Sequence, residues 1–134
     1  MTVKNKSRQQ IAIDNFSSAV DKLREFLSTP VVDERDRAGI IQAFEFCYEL
    51  AWKSLKKLAE SKGLEAPTPL DAFQAGFQMG LIKEIEHELW LDAKRTRNLT
   101  SHTYKEELAA EVLEKIRNDY LAAFEQLRQR LSKE

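Results

Sequence analysis

The sequence predicts an all-α fold: an antiparallel up-down four-helix bundle with one short extra helix, in a single domain over residues 1–134. Three observations lead there. Apolar residues recur every three or four positions over long stretches, the spacing that lines one face of a helix. Only four glycines and three prolines occur in 134 residues, so tight turns are few and the elements must be long. No stretch alternates apolar and polar residues as a half-buried strand does. Long amphipathic helices bury their stripes by packing side by side, which makes the bundle the natural architecture.

The elements follow in order. Ile13, Phe16, Val20, Leu23, Phe26 and Leu27 form the first run, which Thr29-Pro30 ends because proline cannot continue a helix cleanly. Asp33 offers an N-cap for a long second helix, and Glu34 and Asp36 suit its positive first turn. Ile40, Ile41, Phe44, Cys47, Tyr48, Ala51, Leu55 and Leu58 are its stripe, and Gly63 closes it. Thr68-Pro69 reads as an N-cap followed by proline at the first helical position, opening a short helix over 69–78 that ends at Gly80. A fourth helix runs from about Lys83 through Ile85, Leu89, Trp90 and Ala93 towards Arg97. Leu108, Val112, Ile116, Tyr120, Phe124, Leu127 and Leu131 give a long fifth helix with near-heptad spacing.

Composition excludes several classes. A formal net charge of −1 offers no global attraction to a phosphate backbone, so a nucleic-acid site must be a local patch. Cys47 is the one cysteine, which rules out an internal disulfide and fits a reducing cytoplasm. Met1 to Arg8 is polar and basic with no apolar run behind it, so no signal peptide is expected. No run approaches the roughly 20 apolar residues of a membrane span. Together these features predict a cytoplasmic protein. His87, His102 and Cys47 do not stand at metal-ligand spacing, and the glycines form no phosphate loop or dinucleotide fingerprint, so neither metal nor cofactor is expected.

The segment Arg97-Asn98-Leu99-Thr100-Ser101-His102-Thr103-Tyr104 carries the most chemistry. Lys94, Arg95, Arg97 and Lys105 surround it, and no acid lies between Ala93 and Lys105. Such a stretch can hold RNA phosphates, and it can equally be a solvated helix end whose cations favour the dipole's negative pole. Imidazoles titrate near neutrality, so His102 is suited to take a ribose 2′-hydroxyl proton or protonate a leaving oxygen. Arg97 is suited to stabilise charge at phosphorus, and Asn98 to orient the imidazole or contact phosphate. On one regular helix Arg97 and His102 stand about 140° apart, at roughly 100° per residue. If they cooperate, the helix must end or distort, or two copies must meet. His87, among Glu84, Glu86 and Glu88, reads as part of an exposed acidic face.

Aromatics on the second helix cover more than one face. Phe44, Phe46, Tyr48 and Trp52 suit either a thick monomeric core or a core extended into a subunit interface. Trp52, Trp90 and Tyr48 have rings able to stack on bases, although aromatics in helical stripes mostly serve packing.

Arg97-Asn98-Leu99-Thr100-Ser101-His102 matches the Arg-x4-His signature of HEPN domains, and Tyr104 extends it to Arg-x4-His-x-Tyr. Ile41-Gln42-Ala43-Phe44-Glu45-Phe46, Glu49-Leu50-Ala51-Trp52-Lys53-Ser54-Leu55-Lys56, Ala75-Gly76-Phe77 and Gly80-Leu81-Ile82 resemble one branch, the nucleotidyltransferase substrate-binding subunits. The similarity runs roughly from Phe16 to Leu127. It implies a homodimer with both Arg-x4-His motifs in one cleft, and a minimal nucleotidyltransferase as partner in a toxin–antitoxin module. The HEPN subunit then acts as a metal-independent ribonuclease with Arg97 and His102 catalytic and Asn98 supporting. The partner neutralises it by transferring AMP to Tyr104. The resemblance also leaves a second reading, a non-catalytic subunit that presents substrate to the nucleotidyltransferase.

Overall fold

The computed structural model describes residues 6–134; Met1–Asn5, the start of the stretch expected to lack a signal peptide, lie outside the described residues. Every regular element among them is helical. α1 (Arg8–Leu27) starts one turn earlier than the apolar run suggests, because Ser7 accepts from the Gln10 N–H and caps it. α2 (Glu34–Ser61) opens on a capping box in which the Asp33 and Asp36 side chains each take the other's backbone N–H. α3 (Pro69–Gln78) is capped by Thr68 with proline in its first turn, as expected. Gly63 and Gly80 both adopt positive φ, 80° and 78°, and end α2 and α3. At each end the N–H groups of the glycine and of the leucine after it return to the last turn, so the carbonyls there are satisfied.

The fourth helix departs from expectation at its start. A 3-10 turn (Glu84–Glu86) comes first and α4 (His87–Leu99) follows. The Glu86 carboxylate accepts from the Lys83 N–H at 2.7 Å and from both Nη atoms of Arg130, at 2.6 and 3.1 Å. That clamp tightens the turn and leaves Ile85 at 88% exposure, outside the stripe to which its spacing assigned it.

The fifth helix is not one regular rod. α5 (Glu106–Lys115) passes through a π turn (Ile116–Tyr120) into α6 (Leu121–Leu131). Val112, Ile116, Tyr120 and Phe124 are each four residues apart, and all are buried. In a regular α-helix three such steps would carry the stripe about 120° round the axis. The wider turn keeps the four on the core face.

α2 lies at the centre, packed against α1, α3, α4, α5 and α6. The ends fix the directions. Arg24 meets Glu125 and Arg128 meets Asp21 across α1 and α6, while Arg117 reaches the Leu27 carbonyl, so these two helices run antiparallel. Phe16, Phe44, Phe73 and Phe124 are wholly buried, with Tyr48, Trp90 and Tyr120 beside them. Phe44 stacks on Tyr120 at 5.3 Å between centroids, and Trp90 meets Phe73 at 5.2 Å and Phe124 at 5.7 Å edge-on. One aromatic cluster thus ties all the long helices together. Tyr48 and Trp90 serve packing, and burial pushes the Tyr48 phenol up to about 12. No helix among the described residues is long and apolar enough to cross a membrane.

Candidate functional site

α4 ends at Leu99, two residues past Arg97, and a 3-10 turn (Thr100–His102) follows before α5 begins at Glu106. The break expected between Arg97 and His102 is there. Thr100 makes it locally: its side chain lies 2.8 Å from the Arg97 carbonyl, and its own carbonyl accepts from the Thr103 hydroxyl at 2.8 Å. Both contacts occupy carbonyls that a continuing helix would use.

Arg97 sits in the last turn of α4, half-buried, with its guanidinium against α2. Nη1 lies 3.0 Å from Glu45 Oε2 and donates to Thr100 Oγ1 at 3.0 Å. Nε is fully buried and 3.4 Å from Glu49 Oε1, too poorly aligned for a hydrogen bond, so that contact is an ion pair only. Thr100 Oγ1 also approaches Glu45 Oε2 at 2.8 Å, which closes a ring of Arg97, Thr100 and Glu45. Glu49 accepts from the Trp52 indole N–H at 3.0 Å through its other oxygen.

This changes the electrostatic picture. The stretch that is free of acids in the sequence is not free of them in space. Arg97 faces two carboxylates from α2, and Arg95 lies 3.7 Å from Asp92. Lys94 and Lys105 have no carboxylate at ion-pair distance among the described residues. Glu45 and Glu49 were missed because they lie 52 and 48 positions from Arg97. The available signal was a pair of acids one turn apart, an i,i+4 couple beside an apolar stripe.

His102 and Tyr104 face outwards. The two rings meet edge-on at 6.3 Å, and Tyr104 is 79% exposed. Asn98, Ser101 and Lys105 are exposed too. Below Tyr104 a cleft of about 240 Å³ opens between the starts of α2 and α5, crossed by an Arg37–Glu106 pair at 3.4 Å. Leu99, next to Thr100 in the chain, and Phe46, next to Glu45, are 44% and 56% exposed. The structure therefore brings Arg97 to Glu45, Glu49 and Thr100, and pairs His102 with Tyr104. His87 lies apart from all of these, half-buried at the start of α4 with its ring 6.2 Å from Phe77.

Residues 11–133 match the family described as nucleotidyltransferase substrate binding protein like. The chain belongs to that family. It is a HEPN-domain protein of the nucleotidyltransferase substrate-binding branch. A relative from Haemophilus influenzae (strain ATCC 51907 / DSM 11121 / KW20 / Rd), named probable ribonuclease HepT, is 34% identical over 109 residues, covering 75% of this chain and 73% of its own. A crystal structure of a protein from Thermus thermophilus has the same fold, with a TM-score of 0.79 and 32% identity. The match covers 87% of this chain and 98% of that one.

Proposed function

We propose that this protein is a metal-independent ribonuclease, the toxin of a toxin–antitoxin pair, acting as a homodimer whose two Arg97/His102 motifs share one cleft. The observation that carries the reading is the helix break. It presents His102 to solvent beside Tyr104 while Arg97 is held in the preceding turn. The name of the Haemophilus relative, a probable ribonuclease, supports the same reading.

In the reaction, the ribose 2′-oxygen attacks the adjacent phosphorus and gives its proton to one His102. The P–O5′ bond breaks, the 5′-oxygen takes a proton, and a 2′,3′-cyclic phosphate remains. Each chain offers one His102, so a dimer cleft supplies both a base and an acid. Arg97 stabilises the extra negative charge on the phosphoryl oxygens. Asn98 supports the imidazole, and Lys94, Arg95 and Lys105 hold flanking phosphates.

The partner is a minimal nucleotidyltransferase. The Tyr104 Oη attacks the α-phosphorus of ATP, pyrophosphate leaves and the phenolic proton is released, which leaves AMP on the tyrosine. Tyr104 is exposed enough for that transfer, and the added phosphate repels RNA from the site.

The test is cleavage of RNA in chelator by the wild type, His102→Ala and Arg97→Ala. Cleavage lost in both variants is expected; equal cleavage by all three proteins would mean a contaminant. With partner and ATP added, an AMP-sized mass gain is expected on the wild type and not on Tyr104→Phe. A second reading, a non-catalytic subunit presenting substrate to the partner, is favoured by one observation: Arg97 already has two carboxylates as neighbours. Wild-type protein that cleaves no RNA yet stimulates the partner would select it.

A further inference from the structure

Between the start of α1 and the last third of α2 lies a groove of about 490 Å³ that the reaction above does not use. Ile11, Leu50 and Trp52 give it an apolar floor, and Arg8, Lys53, Lys56 and Lys57 stand round it. Lys53, Lys56 and Lys57 are at i, i+3 and i+4, hence on one face of α2. None of the residues lining the groove is acidic. Among the described residues, none of the four cations has a carboxylate within ion-pair distance, although eleven such pairs occur elsewhere. Four cations without an acidic neighbour round a partly exposed apolar floor suit an anion with an apolar body.

The groove is joined to the Arg97 site. Glu49 is the joint: one oxygen accepts from the Trp52 indole at 3.0 Å and the other lies 3.4 Å from Arg97 Nε. From Glu45 to Lys57 the helix rises about 18 Å: Arg97 stands against its first part, beside Glu45 and Glu49, and Trp52, Lys53, Lys56 and Lys57 occupy the last turn and a half.

We propose that this groove binds a single-stranded nucleic acid, with a base against Trp52 and successive phosphates on Lys53, Lys56, Lys57 and Arg8. The choice of a strand rests on the ribonuclease reading, since the strand continues from the phosphate held at Arg97. Aromatic surface between spaced cations is what sequence-tolerant single-strand binding requires. An acidic protein surface would match the charges but has no need of Trp52 between them.

The experiment uses a 2′-deoxy 12-mer, which lacks the hydroxyl needed for cleavage, and follows tryptophan fluorescence. Trp90 is 2% exposed, so quenching reports on Trp52. The 12-mer is expected to quench the wild type. The Lys53→Gln/Lys56→Gln/Lys57→Gln protein should bind about tenfold or more weakly, and its slope of log affinity against log salt should fall by about 2, at about 0.7 per phosphate contact. Trp52→Phe should abolish the quench while retaining most of the salt dependence. Affinity and slope unchanged in the triple-lysine protein would overturn the proposal. So would ATP or uridine monophosphate binding as tightly as the 12-mer, or the lysine changes altering only the oligomeric state. The two readings fail separately. Wild type that binds the 12-mer through the lysines but cleaves no RNA removes the ribonuclease and keeps the groove. Cleavage that ignores the lysines does the reverse.

Discussion

The guanidinium of Arg97 is turned towards α2, where Glu45 and Glu49 stand one turn apart. All three side chains are about one-third exposed, so each ion pair contributes little to stability, about 0.2–1 kcal/mol. Their importance lies in aim. Without the Glu45 carboxylate the guanidinium keeps only Glu49 and Thr100, and a displacement of about 1 Å at a catalytic group can cost a hundredfold in rate. Glu45→Gln is therefore expected to leave thermal unfolding almost unchanged while lowering RNA cleavage tenfold or more. A parallel loss of stability and cleavage would make Glu45 merely structural. At this scale the sequence reveals residues and conceals neighbours. Thr100, a weak helix former, announced the break that it makes. Nothing local to Arg97 announced Glu45, because tertiary folding alone brings positions 45 and 97 together.

Among the elements, the 3-10 turn Glu84–Glu86 is held by one carboxylate. Burial opposes ionisation of Glu86, but the Arg130 fork and the Lys83 N–H outweigh it, so its pKa lies below the ordinary 4.5. A group depressed on folding adds stability that is present above its unfolded value and disappears as the pH falls through the folded one. Glu86→Gln should thus destabilise the protein by about 1–3 kcal/mol at neutral pH. The gap from wild type should close as the pH is lowered through 4.5 and below. Denaturant unfolding at several pH values measures it, and a gap independent of pH would refute the ionic explanation. Helix ends marked by strong chemistry were legible: Asp33, Thr68-Pro69, Gly63 and Gly80 all stand where expected. The clamp on Glu86 was not, since Arg130 lies 44 residues away. Periodicity alone therefore drew Ile85 into a helix.

For the molecule as a whole, all-α architecture was readable because one pattern, apolar residues every three or four positions, extends through nearly every segment. Quaternary structure was not, because an apolar residue that faces a partner and one that faces the core obey the same period. Phe44 and Tyr48 proved to be core, whereas Phe46 and Leu99, chain neighbours of Glu45 and Thr100, remain exposed. The proposed dimer cleft puts these two residues at the contact. Sedimentation should give twice the 15.5 kDa of one chain, and Phe46→Glu/Leu99→Glu should give a folded monomer without cleavage. A monomeric wild type that cleaves would rule the shared cleft out. The π turn at Ile116–Tyr120 bears on how this chain can vary in length. It absorbs one residue more than a regular helix would hold, at Asp119 for example, which is exposed. Removing that residue would restore regular winding and still present Tyr120, Phe124, Leu127 and Leu131 to the core. A deletion in the regular part of α6 would instead swing everything beyond it by about 100°. The last helix thus has one point of tolerance to gain or loss, and it lies within the helix itself.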